Sequence, residues 1–118
     1  MNFVVVMRLK SEIWVQAFLR KCSAEGRFCI VAHRGAAEAG AVFIIVNRLD
    51  GRFHLFGPAP GAAYDELGDR RFIEELAFPA TESEVAALLV RRKKFDSDLW
   101  IVEVEDRHGT AGVNAEKL

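Results

Sequence analysis

The stretch AVFIIVNRLDGRFHLF, residues 41–56, decides the fold. Its opening run, Ala41 to Val46, is unbroken apolar sequence rich in β-branched residues. Such a run reads as a strand covered on both faces. Asn47-Arg48-Leu49-Asp50-Gly51-Arg52 then turns the chain, with Asp50-Gly51 supplying the positive-φ positions of a tight hairpin. Phe53 to Phe56 returns as the partner strand. Gly57-Pro58-Ala59-Pro60-Gly61 follows and cannot continue a ladder.

Upstream, Phe28 to His33 (FCIVAH) is a short apolar strand, and the small-residue stretch from Arg34 to Gly40 is a loop. Before it, Ile13, Trp14, Ala17, Phe18 and Cys22 recur at the spacing of one helical face, widened by Val15 and Leu19. Ser11 is the expected N-cap of this helix over residues 11–24, with Glu12 facing the positive dipole end and Gly26 terminating it. Downstream, residues 57–69 form a long loop. Arg70 to Phe78 fits a strand or a short helix, and its alternation favours a strand. Thr81-Glu82-Ser83-Glu84 is a capping box. It opens a helix that carries Val85, Leu88 and Leu89 on one face, with Phe95 closing that face. Asp98 to Asp106 is the last strand, and the tail over 109–118 is expected to fray. The order is α-β-β-β-(β)-α-β. The expected architecture is a single α+β domain over 1–118, with a mainly antiparallel sheet of four to five strands and two helices on one face. Residues 1–6 read as an N-terminal extension, with Met7 an alternative start.

Composition narrows the function classes. The chain has 118 residues, about one domain, with 51% hydrophobic residues and nine Phe to build a core. Its net charge of −1 lacks the global basic footprint of many nucleic-acid binders. Two cysteines, Cys22 and Cys29, are too few for a disulfide scaffold and read as reduced thiols of a cytoplasmic protein. No secretory signal precedes them, and no stretch approaches the ~20 apolar residues of a membrane helix.

The segments Leu9 to Val15, Ala39 to Ile44 and Phe95 to Asp106 resemble a small family of alphaproteobacterial proteins of this length, a domain of unknown function. The resemblance runs from Met7 to about Arg107. It implies a bacterial, cytoplasmic origin and carries over no catalytic residue.

Several residue sets invite a chemical reading. In FDSDLWIVEVEDR, residues 95–107, five acids surround an apolar run. Strand alternation puts Trp100, Val102 and Val104 on one face, with Glu103 and Glu105 side by side toward solvent. Asp96 and Asp98 suit backbone hydrogen bonds, and nothing makes these acids converge as a hard-cation site requires. The element order resembles that of restriction-endonuclease-like nucleases, but the hairpin strands carry neither the acid nor the acid-x-lysine pair of that chemistry. Cys29 and His33 share a strand face more than about 10 Å apart, too far for a thiolate–imidazole pair. His33, His54 and His108 lack zinc-site spacing, and His54 points away from Phe53 and Leu55, toward water or a helix. The glycine-bearing loop from Gly35 to Gly40 is no phosphate cradle, since it lacks a lysine and a helix entry.

No catalytic, cofactor or metal site emerges, and no small-molecule substrate is identifiable. The leading expectation is a non-catalytic protein-interaction module that binds a protein partner or itself as a homodimer. One alternative is nucleic-acid or anion binding by Arg91, Arg92, Lys93 and Lys94 together with Arg48 and Arg52. Another is a hydrolase with the 57–69 loop closing over Tyr64, Asp65 and Glu66. No membrane partner is expected.

Overall fold

The structure, a computed structural model, describes residues 10–61 and 70–117. Along the chain run α1 (Ser11–Ala24), β1 (Cys29–His33), β2 (Val42–Asn47), β3 (Phe53–Pro58), β4 (Phe72–Glu74), α2 (Glu82–Phe95), β5 (Trp100–Glu105) and β6 (Ala115–Glu116). The α+β class and the element order from α1 to β5 match expectation, the ambiguous 70–78 segment contains a strand, and β6 is an addition that takes the sheet beyond the expected four to five strands. Among the described residues, the sheet has six strands, ordered β1-β5-β2-β3-β4-β6. The pairs β1–β5, β2–β3 and β3–β4 are antiparallel, while β2–β5 and β4–β6 are parallel.

β2 is buried on both faces, as its sequence predicts. Val42, Ile44 and Val46 pack with Val15, Phe18 and Cys22 of α1 and with Trp100, Val102 and Val104 of β5. Phe43 and Ile45 pack on the other side with Val85, Leu88 and Leu89 of α2 and with Ile101. The helices therefore lie on opposite faces, not on one. Placing both on one face would expose half of a strand that has no polar side to show.

The hairpin closes through Arg48 N–H donating to the Arg52 carbonyl at 3.0 Å. Positive φ falls on Leu49 and Gly51 rather than on Asp50 and Gly51. Asp50 instead accepts from the Arg52 amide and guanidinium.

Ser11 is not the cap of α1. It is the first helical residue, wholly buried, and its hydroxyl donates to the Gly40 carbonyl at 2.6 Å. Two orphan amides of the first turn are met by loop carbonyls: Ser11 N–H donates to the Glu38 carbonyl and Glu12 N–H to that of Ala37. Ile13, expected in the core, is 46% exposed, and the sheet-facing stripe is Ser11, Val15, Phe18 and Cys22. At α2 the capping box forms as predicted, with Glu84 N–H on the Thr81 hydroxyl and Thr81 N–H on the Glu84 carboxylate. Phe95 does not close the helix face; it is 92% exposed.

The loop between β1 and β2 is small-residue for a steric reason. A Cβ on Gly35 would sit 2.2 Å from the Asp98 carbonyl oxygen, and one on Gly40 would sit 2.3 Å from it. Ala36 N–H donates to that same carbonyl, and the Trp100 indole donates to the Ala36 carbonyl at 2.7 Å. The loop thus caps α1 and receives the start of β5.

The C-terminal segment, expected to fray, packs on the fold over the described residues 109–117. Ala111 and Val113 are buried in the α1-side core, and β6 pairs with β4. The extension at 1–6, the Met7 start and the proposed lid residues Tyr64, Asp65 and Glu66 lie outside the described residues.

Ending the chain after Gly109 is expected to lower the unfolding free energy by about 2–4 kcal/mol, from the lost burial of Val113 and Ala111. Urea denaturation of the truncated chain checks this, and an unchanged midpoint would show a dispensable tail.

Candidate functional site

The acids of residues 95–107 do structural work. Asp96 Oδ1 accepts the Asp98 amide at 3.0 Å, closing the turn into β5. Asp98 contributes its carbonyl to the loop contact described above. Asp106 accepts from the His108 and Ala111 amides and lies 3.3 Å from the Arg27 guanidinium. Burial pushes its carboxyl up, but those hydrogen bonds and Arg27 outweigh burial and hold it below the ordinary range. Glu103 departs from expectation. It is half-buried on the α2 face of the sheet rather than freely solvated, and burial, then Glu82, then Glu105 raise its pKa. Among the described residues, no three His, Cys, Asp or Glu side chains gather as metal ligands.

The thiols and imidazoles are also dispersed. The Cys22 thiol is buried, and burial, with Cys29 nearby, pushes it up to about 11, where little thiolate exists at neutral pH. Cys29 Sγ donates to the Leu19 carbonyl at 3.4 Å, while His33 Nδ1 lies 2.8 Å from the Leu99 carbonyl. A bulge between Val31 and His33 breaks the simple alternation assumed for these two residues.

His54 does not face water or a helix. It is 5% exposed, stacked between Phe78 at 3.9 Å and Phe56 at 5.4 Å. Arg48 Nη1 lies 3.0 Å from His54 Nε2, and Glu74 Oε1 lies 2.9 Å from Nδ1. A guanidinium only donates, so Nε2 accepts and Nδ1 carries the proton toward Glu74. The lone pair that a general base would use is already engaged. The arrangement ties the hairpin to β4.

The basic residues divide into two groups. Arg91, Arg92, Lys93 and Lys94 end α2, where the chain heads back to the first residues of β2 and β5. Arg92 reaches Glu75 at 3.2 Å. Arg48 and Arg52 lie beyond the last residue of β2, about 17 Å away at ~3.3 Å per residue. Arg48 serves His54 and the Arg107 carbonyl, and Arg52 pairs with Asp50 at 2.6 Å. The structure does not bring the two groups onto one surface.

What it does expose is an edge. Among the described residues, β1 pairs only with β5 and forms one border of the sheet. Phe28, Ile30 and Val31 are 63%, 44% and 38% exposed along it. Register with β5 puts Val31 on the α1 face and Ile30 on the α2 face, so both sides of the edge are apolar. Edge strands are ordinarily blunted by charge, proline or brevity. The opposite border, β6, has two residues and a glutamate; β1 has five and none of these guards except its bulge. The signal was present in FCIVAH as an apolar strand, but sequence could not say that this strand would lie at a border.

Comparison with known proteins agrees with the fold. The profile of a family described as a protein of unknown function, DUF1491, matches residues 9–114. The chain belongs to the DUF1491 family. It is similar to a protein from A. tumefaciens with a solution structure, at 46% identity over 89% of this chain and 92% of that one, with a TM-score of 0.75. It is also similar to a DUF1491 protein from Caulobacter crescentus CB15 with a crystal structure, at 32% identity over 94% of this chain and 100% of that one, with a TM-score of 0.77. Both sources are alphaproteobacteria, as the sequence resemblance implied. No curated protein matches the chain. Among the described residues of this DUF1491 chain, no helix is long and apolar enough to cross a membrane.

Two outcomes test the assignments. His54→Ala is expected to destabilise by about 3 kcal/mol, since it removes a buried stacked ring and leaves Arg48 and Glu74 without their shared partner. Chemical denaturation measures it. Glu103→Gln is expected to stabilise at neutral pH. A carboxyl raised in the fold costs stability once ionised, so the gain appears as pH rises above the ordinary value of 4.5 and vanishes below it. Midpoints across pH 3–8 would show the opposite trend if Glu103 made a favourable ion pair.

Proposed function

We propose that this chain is a non-catalytic protein-interaction module of the cytoplasm that pairs with a second copy of itself through the edge of β1. The observation that carries this reading is the β1 border, guarded among the described residues only by its bulge, with Phe28, Ile30 and Val31 exposed along it. Antiparallel pairing of β1 with its copy is two-fold symmetric, so one patch serves both partners. It would meet the outward backbone groups of the edge with hydrogen bonds and cover apolar side chains on each side. The two free cysteines fit a reducing compartment.

Analytical ultracentrifugation of the wild type is expected to show a dimer at tens of micromolar, and Ile30→Lys with Val31→Lys a monomer with an unchanged circular dichroism spectrum. Both positions are exposed, so the pair leaves the protomer core intact. A wild type that stays monomeric at every concentration, or a double variant that stays dimeric, would overturn the β1 edge as the interface.

A further inference from the structure

The backbone of β1 dictates how a second copy can join its border. Glu105 N–H donates to the Phe28 carbonyl at 2.9 Å. In the β1–β5 register, with Cys29 against Val104, that bond makes Phe28 and Ile30 the residues whose backbone groups turn toward β5. Cys29 and Val31 alternate with them and turn their N–H and C=O groups outward. The outward row is short. Arg27, the next in phase before Cys29, spends its N–H on the Cys22 carbonyl at 2.8 Å. After Val31 the bulge before His33 breaks the phase. Among the described residues, the regular border therefore offers the N–H and C=O of Cys29 and of Val31.

A two-fold axis can set this row against itself in three ways. Cys29 against its own copy turns the Val31 carbonyl toward Arg27, whose N–H is spent. Val31 against its own copy sends Cys29 across the bulge. With the axis at Ile30, Cys29 meets Val31 of the second copy, and every outward group of the row finds a regular partner.

The side chains agree with the third register. On the α2 face Ile30, 44% exposed, meets Ile30 of the second copy. This is a non-hydrogen-bonded pair, the closer kind, with Cα atoms about 4.5 Å apart. On the α1 face a groove of about 360 Å³ lies between α1, at Leu19 and Ser23, and the border, at Arg27 and Cys29. Val31 of the second copy, opposite Cys29, enters this groove from its open side. Leu19 and Cys29 give it apolar contact there.

On the reading that β1 is the dimer edge, we propose that the two copies pair about an axis at Ile30, with Val31 of each seated beside Cys29 of the other in the groove next to α1. This register also keeps the two Cys29 thiols apart. Each is displaced from its copy by two positions, about 6.8 Å along the strand, besides the ~4.8 Å between strands. That exceeds the reach of a disulfide, so the dimer forms without one and oxidation does not lock it.

Three chains with one thiol each besides the buried Cys22 test the register: the wild type, Cys29→Ser with Ile30→Cys, and Cys29→Ser with Val31→Cys. Each is first sedimented under reducing conditions, then treated with oxidised glutathione and run on a non-reducing gel. All three are expected to be dimers when reduced. The Ile30→Cys chain is expected to become disulfide-linked about tenfold faster than the other two, since only its thiols face each other across the axis within bonding reach. Ser23→Trp, at an exposed position of α1, fills the groove and is expected to weaken the dimer about tenfold. Dimers in which Ile30→Cys stays unlinked, or in which Cys29 or Val31→Cys links as fast, would overturn the register and leave the β1 edge standing as the interface. Undiminished association of Ser23→Trp would overturn the seat of Val31 in the groove. A reduced wild type that stays monomeric would overturn both this inference and the reading beneath it.

Discussion

The parallel pairing of β2 with β5 is the constraint on which the remaining architecture rests. Six residues of each strand align, from Val42 against Trp100 to Asn47 against Glu105. β5 enters the sheet between β1 and β2, although it is made long after both. Its neighbour β2 is apolar on each face, so the centre of the sheet needs cover above and below. α1 supplies one cover and α2 the other. The crossover through α2 also makes the parallel pairing reachable, since a tight turn can join only antiparallel strands.

Peripheral details follow from that centre. The Gly35–Gly40 loop is small because the Asp98 carbonyl at the mouth of β5 presses against it. The same loop closes the first turn of α1, so one segment couples the N-terminal helix to the last long strand. His54 stitches the hairpin to β4 through Glu74 and Arg48, with Phe78 laid over its ring. With these polar groups spent on structure, the β1 border stands out among the described residues as an apolar surface.

Local signals in the sequence carried far. The capping box at Thr81, the buried stripe Val85, Leu88 and Leu89, the both-faces reading of Val42 to Val46 and the inward set Trp100, Val102 and Val104 were all legible, because each depends on neighbours a few residues away. The placement of both helices on one face failed, although the apolar run at Val42 to Val46 already required cover on two sides. Phe95 and Ile13 were read as core because they are apolar, yet Ile13 lies on the side of α1 opposite the stripe that meets the sheet, and Phe95 is the last residue of α2 and stands exposed.

What the sequence determined by itself was the α+β class and the elements from α1 to β5 in their order, though not β6, since propensity, capping and periodicity act over short distances. Only the tertiary structure decided which strand lies at a border, which residues of α1 line a groove, and that the α2 cations and the hairpin arginines stand at opposite ends of β2. Those outcomes depend on strand order and on where α1 lies across the sheet, and neither is written in any local run of residues.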